Sequence, residues 1–358
     1  MAVPTNPVRG AAGSGKRFSF VLLGDLHFDR LEHHDFDWLA ANHTGDRSQI
    51  ENYSQKTREV MPEVLGAVAR RATKNSDETA FVVQVGDLVQ GLCGSAELSA
   101  RQNEEALSFL ADAGLKKPFL LTKGNHDITG DGAREAFERV FHPFMRKEAQ
   151  RVAPGSIHSG ANYSVTHAGC QFVFMDAYAA ESLDWLEAMA AQRTANHLFV
   201  TVHPPVVPYG ARASWHLYQG DHLASKRERL LEILGRQEAV VLGGHLHKFS
   251  AIRRRAGGGQ FTQLAVSSVV SSVDAAPRDV LNGVDEYTAD QVKLEPNHSP
   301  ETEAERRAIY DRERGSVTNF HYANSAGYAV ITVEGDQIEA AIHAGTQTSP
   351  FQRIDLRG

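Results

Sequence analysis

Residues 120–127 read Leu-Leu-Thr-Lys-Gly-Asn-His-Asp, an apolar run that stops at a glycine and continues directly into three polar side chains. A strand buried on both faces has such an apolar run as its signature, and functional groups concentrate where such elements end. Four further segments also run from apolar residues into a polar end, three of them through a glycine: residues 20–27, 82–87, 199–203 and 240–247. They end in Asp-Leu-His, Gly-Asp, Val-His and Gly-His-Leu-His. We therefore predict five strands whose exits bring polar residues to one place.

The composition of the chain indicates a globular protein that is not adapted to nucleic acid or membrane. Its 358 residues are enough for a sizeable core and, by length alone, for about two domains. No apolar run approaches the ~20 residues that a membrane span needs, so we expect a soluble protein without a membrane partner. The net charge of -7 argues against a nucleic-acid partner, although bound cations would reverse the local field. Cys93 and Cys170 form no Cys-x-x-Cys pair, which excludes a zinc ribbon or a disulfide scaffold.

The amino terminus differs in composition from the rest of the chain. Residues 1–16 are rich in Gly, Ala and Pro and contain no apolar stretch of a signal peptide, so we expect a flexible segment. It could be native, a tag scar or the remnant of a removed leader. The cytoplasm is favoured as the compartment, with an exported mature form as the alternative. We expect residues 17–358 to form a single domain with loop insertions at about 28–53, 204–220 and 271–325.

Periodicity and turn signals predict an α/β chain of the α+β type. Helices are predicted at 55–73, 96–113, 131–141 with Asp131 as the cap, 182–192, 222–234 and 301–314. Hairpins are predicted at 162–175, 247–266 and 328–342, and residues 271–325 are otherwise expected to be irregular. β-α-β units come first and hairpins follow, which indicates two packed mixed sheets with helices outside.

The residues at the strand exits include a set of potential metal ligands. They are Asp25, His27, Asp87, Asn125, His203, His245 and His247. The motifs Asp25-Leu-His27, Gly86-Asp87, Gly124-Asn-His-Asp127, His203 and Gly244-His-Leu-His247 resemble the calcineurin-like metallophosphoesterase superfamily. This resemblance implies a four-layer αββα sandwich with the active site at the carboxyl-terminal loops of the strands. It also implies one metal on Asp25, His27, Asp87 and His247, and a second on Asp87, Asn125, His203 and His245. Asp87 would bridge the two ions.

The chemistry of the donor set agrees with hydrolysis of phosphate esters. Two divalent ions can clamp the attacking and leaving oxygens of a phosphoryl group, and the resemblance implies attack by a metal-bridging hydroxide. Imidazole, amide and carboxylate ligands together permit Mn, Fe or Zn and do not select among them. Within Gly124-Asn-His-Asp127, we expect His126 to face the phosphate as a transition-state donor or leaving-group acid, and we count Asp127 with the catalytic residues. Gln90 could orient His126 through its amide oxygen, or be an exposed glutamine without a role.

Four residues of the segment 204–220 are weaker candidates for substrate contacts. Tyr209 and Trp215 could stack on a ring, Arg212 could hold a phosphate oxygen, and His216 could line the pocket. For each of them, an ordinary loop residue is the favoured alternative. The sequence therefore favours a hydrolase of small phosphodiesters or phosphomonoesters, with a nuclease or a non-catalytic binding scaffold of the same fold as alternatives. It does not indicate the natural substrate or the oligomeric state.

Overall fold

The computed structural model describes residues 17–74, 79–294 and 301–358, so the predicted flexible segment 1–16 lies outside the described residues. The strands are β1 Phe18–Leu23, β2 Thr79–Gln84, β3 Phe119–Leu121, β4 Ile157–Ser159, β5 Asn162–His167, β6 Cys170–Phe174, β7 His197–Thr201, β8 Val240–Gly243, β9 Phe249–Ala256, β10 Gly259–Ala265, β11 Arg278–Asn282, β12 Val317–Asn324, β13 Gly327–Glu334, β14 Gln337–Ala344 and β15 Gln352–Asp355. The helices are α1 Phe36–Asn42, α2 Arg47–Glu59, α3 Met61–Lys74, α4 Ala96–Asp112, α5 Ala133–Val152, α6 Ser182–Ala191, α7 Ala224–Arg236 and α8 Glu303–Arg314.

The strands of the described residues form two mixed sheets. One has the order β15-β14-β13-β1-β2-β3 and the other the order β11-β12-β9-β10-β8-β7-β6-β5-β4. β1, β2 and β3 are parallel in the first sheet, and β6, β7 and β8 are parallel in the second. Because parallel strands end at the same edge of a sheet, the exits of β1, β2 and β3 lie side by side, as do those of β7 and β8.

Aromatic side chains pack between the two sheets. The ring of Phe20 on β1 lies 5.3 Å from that of Phe172 on β6 and 5.4 Å from that of Phe199 on β7. Phe81 on β2 contacts Phe172 at 5.1 Å, edge to face. All four rings are fully buried, so the inner faces of both sheets share one core.

Helices cover the outer face of each sheet. Val68 of α3 and Leu110 of α4 belong to the same buried cluster as the strands of the six-stranded sheet. Leu186 of α6, Leu234 of α7 and Ile309 of α8 belong to a second buried cluster with the outer face of the nine-stranded sheet. Two mixed sheets flanked by helices were predicted, and this architecture is confirmed. Among the described helices, none is long and apolar enough to cross a membrane.

The helix predicted at 55–73 is in fact two helices. α2 ends at Glu59 and α3 begins at Met61. Pro62 explains the break, because proline has no N–H to donate to the preceding turn and its ring clashes with the carbonyl four residues before it. α2 also begins earlier than predicted, at Arg47, so part of the expected loop insertion 28–53 is helical.

The helix predicted to begin at an Asp131 cap has different limits. Its N-cap is Gly132, and the Asp131 carboxylate instead accepts a hydrogen bond from Trp38 Nε1 at 2.8 Å. The helix continues through Pro143 to Val152 rather than ending near residue 141. Buried side chains recur every four residues on both sides of the proline, and this packing sustains the helix across the missing hydrogen bond.

The carboxyl-terminal third contains more strands than predicted. β11 and β12 lie within 271–325, where irregular chain was expected, and pair antiparallel at the edge of the nine-stranded sheet. The polar residues of β12, at positions 318, 319, 321 and 324, do not alternate regularly, so the sequence lacks the usual strand pattern there. β9 starts at Phe249 rather than His247, because His247 has a φ of 55° and cannot continue a strand. The predicted helix 301–314 is present as α8, with Thr302 and Glu305 forming a capping box.

Candidate metal centre

The exits of five strands converge on one place between the two sheets. Asp25 and His27 follow β1, Asp87 follows β2 and Asn125 follows β3, all from the six-stranded sheet. His203 follows β7, and His245 and His247 follow β8, all from the nine-stranded sheet. A parallel bridge between Asp25 and Ser267 joins the two sheets at this point.

Imidazole and carboxylate groups form three clusters here, and in each the potential ligand atoms lie within 4.8 Å of one another. The clusters are Asp25 with His27 and His247, Asp87 with His203 and His245, and His27 with Asp87 and His126. Asn125 joins the second cluster, since its Oδ1 lies 3.2 Å from Nε2 of His203. The first two clusters together contain six of the seven predicted ligands, with Asp87 in the second cluster and not in the first. Asp87 also lies in the third cluster, beside His27 and with His126, which was not predicted as a ligand.

The backbone at this centre is strained. His27, Asp87, His245 and His247 all have positive φ, between 49° and 74°. Such conformations cost of the order of 1–3 kcal/mol each in a non-glycine residue and concentrate at functional sites. They turn four donor side chains out of the strand direction and into a shared space.

Glycines in the motifs allow the loops to approach one another. A Cβ on Gly124 would collide with the backbone and carboxylate of Asp87, and one on Gly244 would lie 2.7 Å from Oδ2 of Asp25. Gly124 and Gly244 are therefore required, because the neighbouring loop packs too closely to leave space for a Cβ at either position.

Hydrogen bonds orient the two histidines that lie deepest. His27 Nδ1 is 2.8 Å from Oε1 of Gln90, and His203 Nδ1 is 2.8 Å from the carbonyl oxygen of Val85. A carbonyl oxygen only accepts, so Nδ1 of each ring carries the proton and donates. When each ring is neutral, its Nε2 presents a lone pair to the cluster, which is the arrangement a metal ligand needs.

Divalent cations fit this donor set. Asp25 Oδ1 accepts from the backbone N–H of His245 at 2.9 Å, whereas Oδ2 is buried with no hydrogen-bond partner among the described residues. Nε2 of His27 and Nε2 of His247 lie only 2.9 Å apart. A buried, unpartnered carboxylate oxygen beside converging imidazole nitrogens is stabilised by a cation between them.

The electrostatics of the cluster favour bound positive charge. Burial lowers the pKa of His27 and of His245 to about 3, so both rings are neutral ligands at neutral pH. Burial raises the pKa of Asp25 to about 7. Burial opposes protonation of His203, but the carboxylates of Asp87 and Asp25 raise its pKa to about 9. Protons thus occupy this centre when no metal is present, and metal binding displaces them.

His126 lies at the rim of the centre. Its backbone N–H donates to Asp87 Oδ1 at 2.8 Å, and its ring Nδ1 lies 2.9 Å from the backbone carbonyl of Gln90. The ring meets that of His27 edge to face at 4.6 Å. With Nδ1 engaged by a carbonyl, Nε2 is the atom available for proton transfer.

The expectation that the Gln90 amide orients His126 is wrong. The Gln90 side chain binds His27 through Oε1 and donates from Nε2 to Gln49 Oε1 at 3.1 Å. The backbone carbonyl of Gln90 alone contacts His126, so any residue at position 90 could supply that contact. The side chain of Gln90 is fully buried, which also excludes the alternative of an exposed glutamine.

Asp127 holds the loops together instead of facing the centre. Its carboxylate accepts from the backbone N–H groups of Asp87, Val89 and Gly124, at 3.1, 3.1 and 2.7 Å. It is buried, and burial raises its pKa to about 6. The predicted catalytic role for Asp127 therefore has no support in this geometry, since both carboxylate oxygens bind backbone.

Two of the four substrate candidates lie beside His245, one of the predicted metal ligands. The guanidinium of Arg212 stacks over the ring of Trp215 at 4.6 Å, and that ring lies 5.6 Å from the ring of His245. Nε of Arg212 is buried and has no hydrogen-bond partner among the described residues.

The other two candidates lie elsewhere. Tyr209 is fully buried against Tyr322 in the core, so it cannot stack on a substrate. His216 donates to the carbonyl of Ala213 at 2.7 Å and lines a separate cavity of about 570 Å³ with α7 and α8. Residues 215 and 216 point to different sides of the segment, which sequence spacing could not indicate.

The sequence did not reveal Gln49 and Tyr53 as parts of the centre. The Tyr53 ring lies parallel to that of His27, with centroids 4.3 Å apart, and Gln49 binds Gln90. Both belong to α2, and their spacing of four residues was a detectable signal. It was missed because the segment had been interpreted as a loop.

Comparison with known proteins agrees with this geometry. The sequence model of the calcineurin-like phosphoesterase family matches residues 18–249. Comparison with curated protein sequences found no match.

Three solved structures illustrate the structural likeness. PhoD has a TM-score of 0.54 at 14% identity, over 98% of this chain and 70% of PhoD. A purple acid phosphatase from yellow lupin, Lupinus luteus, has a TM-score of 0.55 at 12% identity, over 98% of this chain and 55% of the lupin chain. A dimetal phosphatase from Danio rerio has a TM-score of 0.53 at 12% identity, over 95% of this chain and 98% of the Danio rerio chain. At these identities the likeness is one of fold.

Proposed function

The chain belongs to the calcineurin-like phosphoesterase family, and from that premise we propose that it hydrolyses small phosphodiesters or phosphomonoesters with two bound metal ions. Family and fold support metal-dependent phosphoester hydrolysis in general terms. The finer assignment is our proposal: a pair of Mn, Fe or Zn ions, a small-molecule substrate and a mild preference for diesters.

The convergence of Asp, His and Asn donors around Asp87 carries this proposal. We assign Asp25, His27, Asp87 and His247 to one ion, and Asp87, Asn125, His203 and His245 to the other. The clusters with donor atoms within 4.8 Å support both groups. Ions bound there would polarise a phosphoryl oxygen and lower the pKa of water enough for attack at neutral pH.

His126 is the proposed proton donor to the leaving group. The ring is held at Nδ1 by the carbonyl of Gln90, so a proton at Nε2 can pass to the ester oxygen as its bond to phosphorus breaks. Because the ring is attached to a loop tied to Asp87 by its own backbone N–H, His126 moves with the metal ligands.

Arg212 is the proposed clamp for a phosphate oxygen. Stacking on Trp215 holds the planar guanidinium in place, and its buried, unpartnered Nε needs an acceptor that a bound phosphate can supply. Trp215 forms the wall beside His245 and is available for contact with a ring or ester group of the substrate.

The nuclease and scaffold alternatives find less support. A formal net charge of -7 disfavours a nuclease, because the phosphate backbone of a nucleic acid requires many basic contacts. A scaffold would have no need of strained ligands and proton-bearing groups converging on one centre. Hydrolysis of single-stranded DNA in preference to small diesters would favour the nuclease.

The test is metal-dependent hydrolysis of chromogenic esters. The protein is freed of metal with a chelator, checked by elemental analysis, and assayed with bis-p-nitrophenyl phosphate and p-nitrophenyl phosphate with and without Mn, Fe or Zn. We expect activity only with metal. Asp87→Asn should abolish it, whereas the control Asp131→Asn, which changes a carboxylate that binds Trp38, should not. Full activity in verified metal-free protein would refute the proposal.

A further inference from the structure

Helix α2 directs one face at the loop that carries His27. Gln49, Tyr53 and Thr57 are spaced four residues apart, so they lie on successive turns of the same face. The ring of Tyr53 stacks on that of His27. Gln49 binds the side chain of Gln90, which in turn binds His27. Thr57 Oγ1 accepts a hydrogen bond from the backbone N–H of Asp29 at 2.9 Å. Three consecutive turns of one helix thus engage the segment from His27 to Asp29.

The stack and the hydrogen bonds together determine how the His27 ring is turned. The interplanar angle between the rings of Tyr53 and His27 is 3°. Nδ1 of His27 donates to Gln90 Oε1, and the amide nitrogen of Gln90 donates to Gln49 Oε1. The stack fixes the plane of the imidazole, and the chain of two hydrogen bonds fixes its rotation and its tautomer.

Tyr53 contacts both histidines of the same half of the centre. Besides the stack on His27, its ring meets that of His247 edge to face at 6.4 Å. Tyr53 is buried, with 5% of its surface exposed, so its ring fills the space behind these two ligands. Removal of the ring would leave a cavity beside the imidazole of His27 and allow it to rotate.

The other half of the centre has no contact with α2 among these interactions. His203 is oriented by the backbone carbonyl of Val85, and the ring near His245 is that of Trp215. The two cation positions therefore have different supports, a helix for one and a strand backbone with a loop for the other.

We propose that α2 acts as a clamp, through Tyr53 and the Gln49–Gln90 hydrogen bond, that sets the metal affinity of the Asp25–His27–His247 position independently of the Asp87–His203–His245 position. This inference rests on the proposed metal centre. Tyr53 and Gln49 are positioning residues, since they act on the metal through His27. Loss of a side chain that orients a histidine ligand typically costs 10–100-fold in metal affinity.

The experiment is a titration of metal-free protein with Mn²⁺, followed by calorimetry and by electron paramagnetic resonance without any substrate. Variants are Tyr53→Leu, Tyr53→Phe, Gln49→Ala and Gln49→Glu. The control Gln55→Ala changes an exposed residue of the same helix whose side chain donates to Glu59 and to no other side chain among the described residues. Thermal unfolding of each metal-free variant shows which proteins are folded.

We expect Tyr53→Leu to weaken one of the two binding steps by roughly 10–100-fold and to leave the other unchanged. At one Mn²⁺ per protein its resonance spectrum should become that of an isolated ion. Gln49→Ala should act in the same direction and carries the test if Tyr53→Leu does not fold. Tyr53→Phe keeps the ring and should bind as the wild type does, and Gln49→Glu keeps the acceptor and adds a negative charge, so it should not lose affinity.

The clamp would be refuted if Tyr53→Leu left both steps unchanged, or weakened both equally. Loss of affinity in Tyr53→Phe equal to that in Tyr53→Leu would also overturn it, because the stack survives in that variant. Wild-type protein that binds two ions but hydrolyses no phosphate ester would refute the proposed function and leave the clamp intact.

Discussion

Substitution of His126 by alanine separates a proton donor from a metal ligand. The structure allows both roles, because the ring lies in a cluster with His27 and Asp87 and is also held with Nε2 available. The substitution keeps the backbone N–H that donates to Asp87, so the support of the bridging carboxylate is preserved. What is lost is the imidazole, its hydrogen bond to Gln90 and its edge contact with His27.

The expected effects on stability and on rate differ greatly in size. Loss of one hydrogen bond to a backbone carbonyl costs about 0.5–1.5 kcal/mol of unfolding free energy. Loss of a general acid lowers kcat by ~10²–10⁴-fold, which corresponds to a barrier increase of about 2.7–5.4 kcal/mol. Since the seven assigned ligands remain, His126→Ala should still bind two metal ions per chain.

The assay measures kcat for a series of aryl phosphodiesters whose leaving groups range from acidic to weakly acidic phenols. The loss in His126→Ala should be largest for the poorest leaving group and shrink for the best, because a good leaving group needs no proton. The control is His158→Ala, which changes a histidine on β4 at the far edge of the nine-stranded sheet. Loss of one ion from His126→Ala would make it a ligand, and an unchanged rate with poor leaving groups would remove it from the reaction.

Three further predictions concern the metals, the substrate and pH. Asp87→Ala should be the most damaging ligand substitution, since Asp87 belongs to two clusters, and elemental analysis that still found two tightly bound ions would contradict the bridging assignment. Arg212→Ala should raise KM roughly 10–100-fold, because a hydrogen bond to a charged group contributes about 1.5–3 kcal/mol. Arg212→Lys should restore the KM only in part. Steady-state kinetics with an unchanged KM in Arg212→Ala would reject the proposed contact between Arg212 and phosphate. Burial lowers the pKa of His216 to about 4 from 6.5, so between these pH values the unfolded chain binds a proton that the folded chain does not, and stability falls with acid by about 3 kcal/mol at most. His216→Asn should flatten this part of the stability–pH curve in urea unfolding, and parallel curves for the two proteins would contradict it.

The sequence was sufficient for the features that depend on local pattern. Apolar runs that end in polar residues predicted β1, β2, β3, β7 and β8, four of them with a glycine at the exit, because a strand buried on both faces must be apolar along its whole length. The direction of parallel strands then places their exits at one edge, which is why seven scattered residues could be predicted to converge. The glycines marked the same positions, since loops packed this closely leave no space for a Cβ.

Side-chain direction within the loops was decided only by tertiary structure. Gln90 was expected to orient His126 but binds His27, because the strained turn after Asp87 sends its side chain toward α2. Tyr209 and Trp215 are both aromatic residues of one segment, yet one is buried in the core and the other lies beside a ligand. Periodicity carries no information in an irregular segment, so these orientations depend on which neighbours leave space.

Helix α2 also has a pattern that is visible in the sequence and contacts that only the tertiary structure determines. Its face of Gln49, Tyr53 and Thr57 is a regular four-residue pattern in the sequence, but residues 28–53 were expected to be a loop insertion, so of these three only Thr57 fell within the predicted helix. The local sequence does not predict what such a face will contact, since polar and aromatic side chains on a helix can face solvent, the core or a loop that carries ligands. The packing of α2 against the exit of β1 gives those three residues their partners, because only the assembled fold places that helix beside His27.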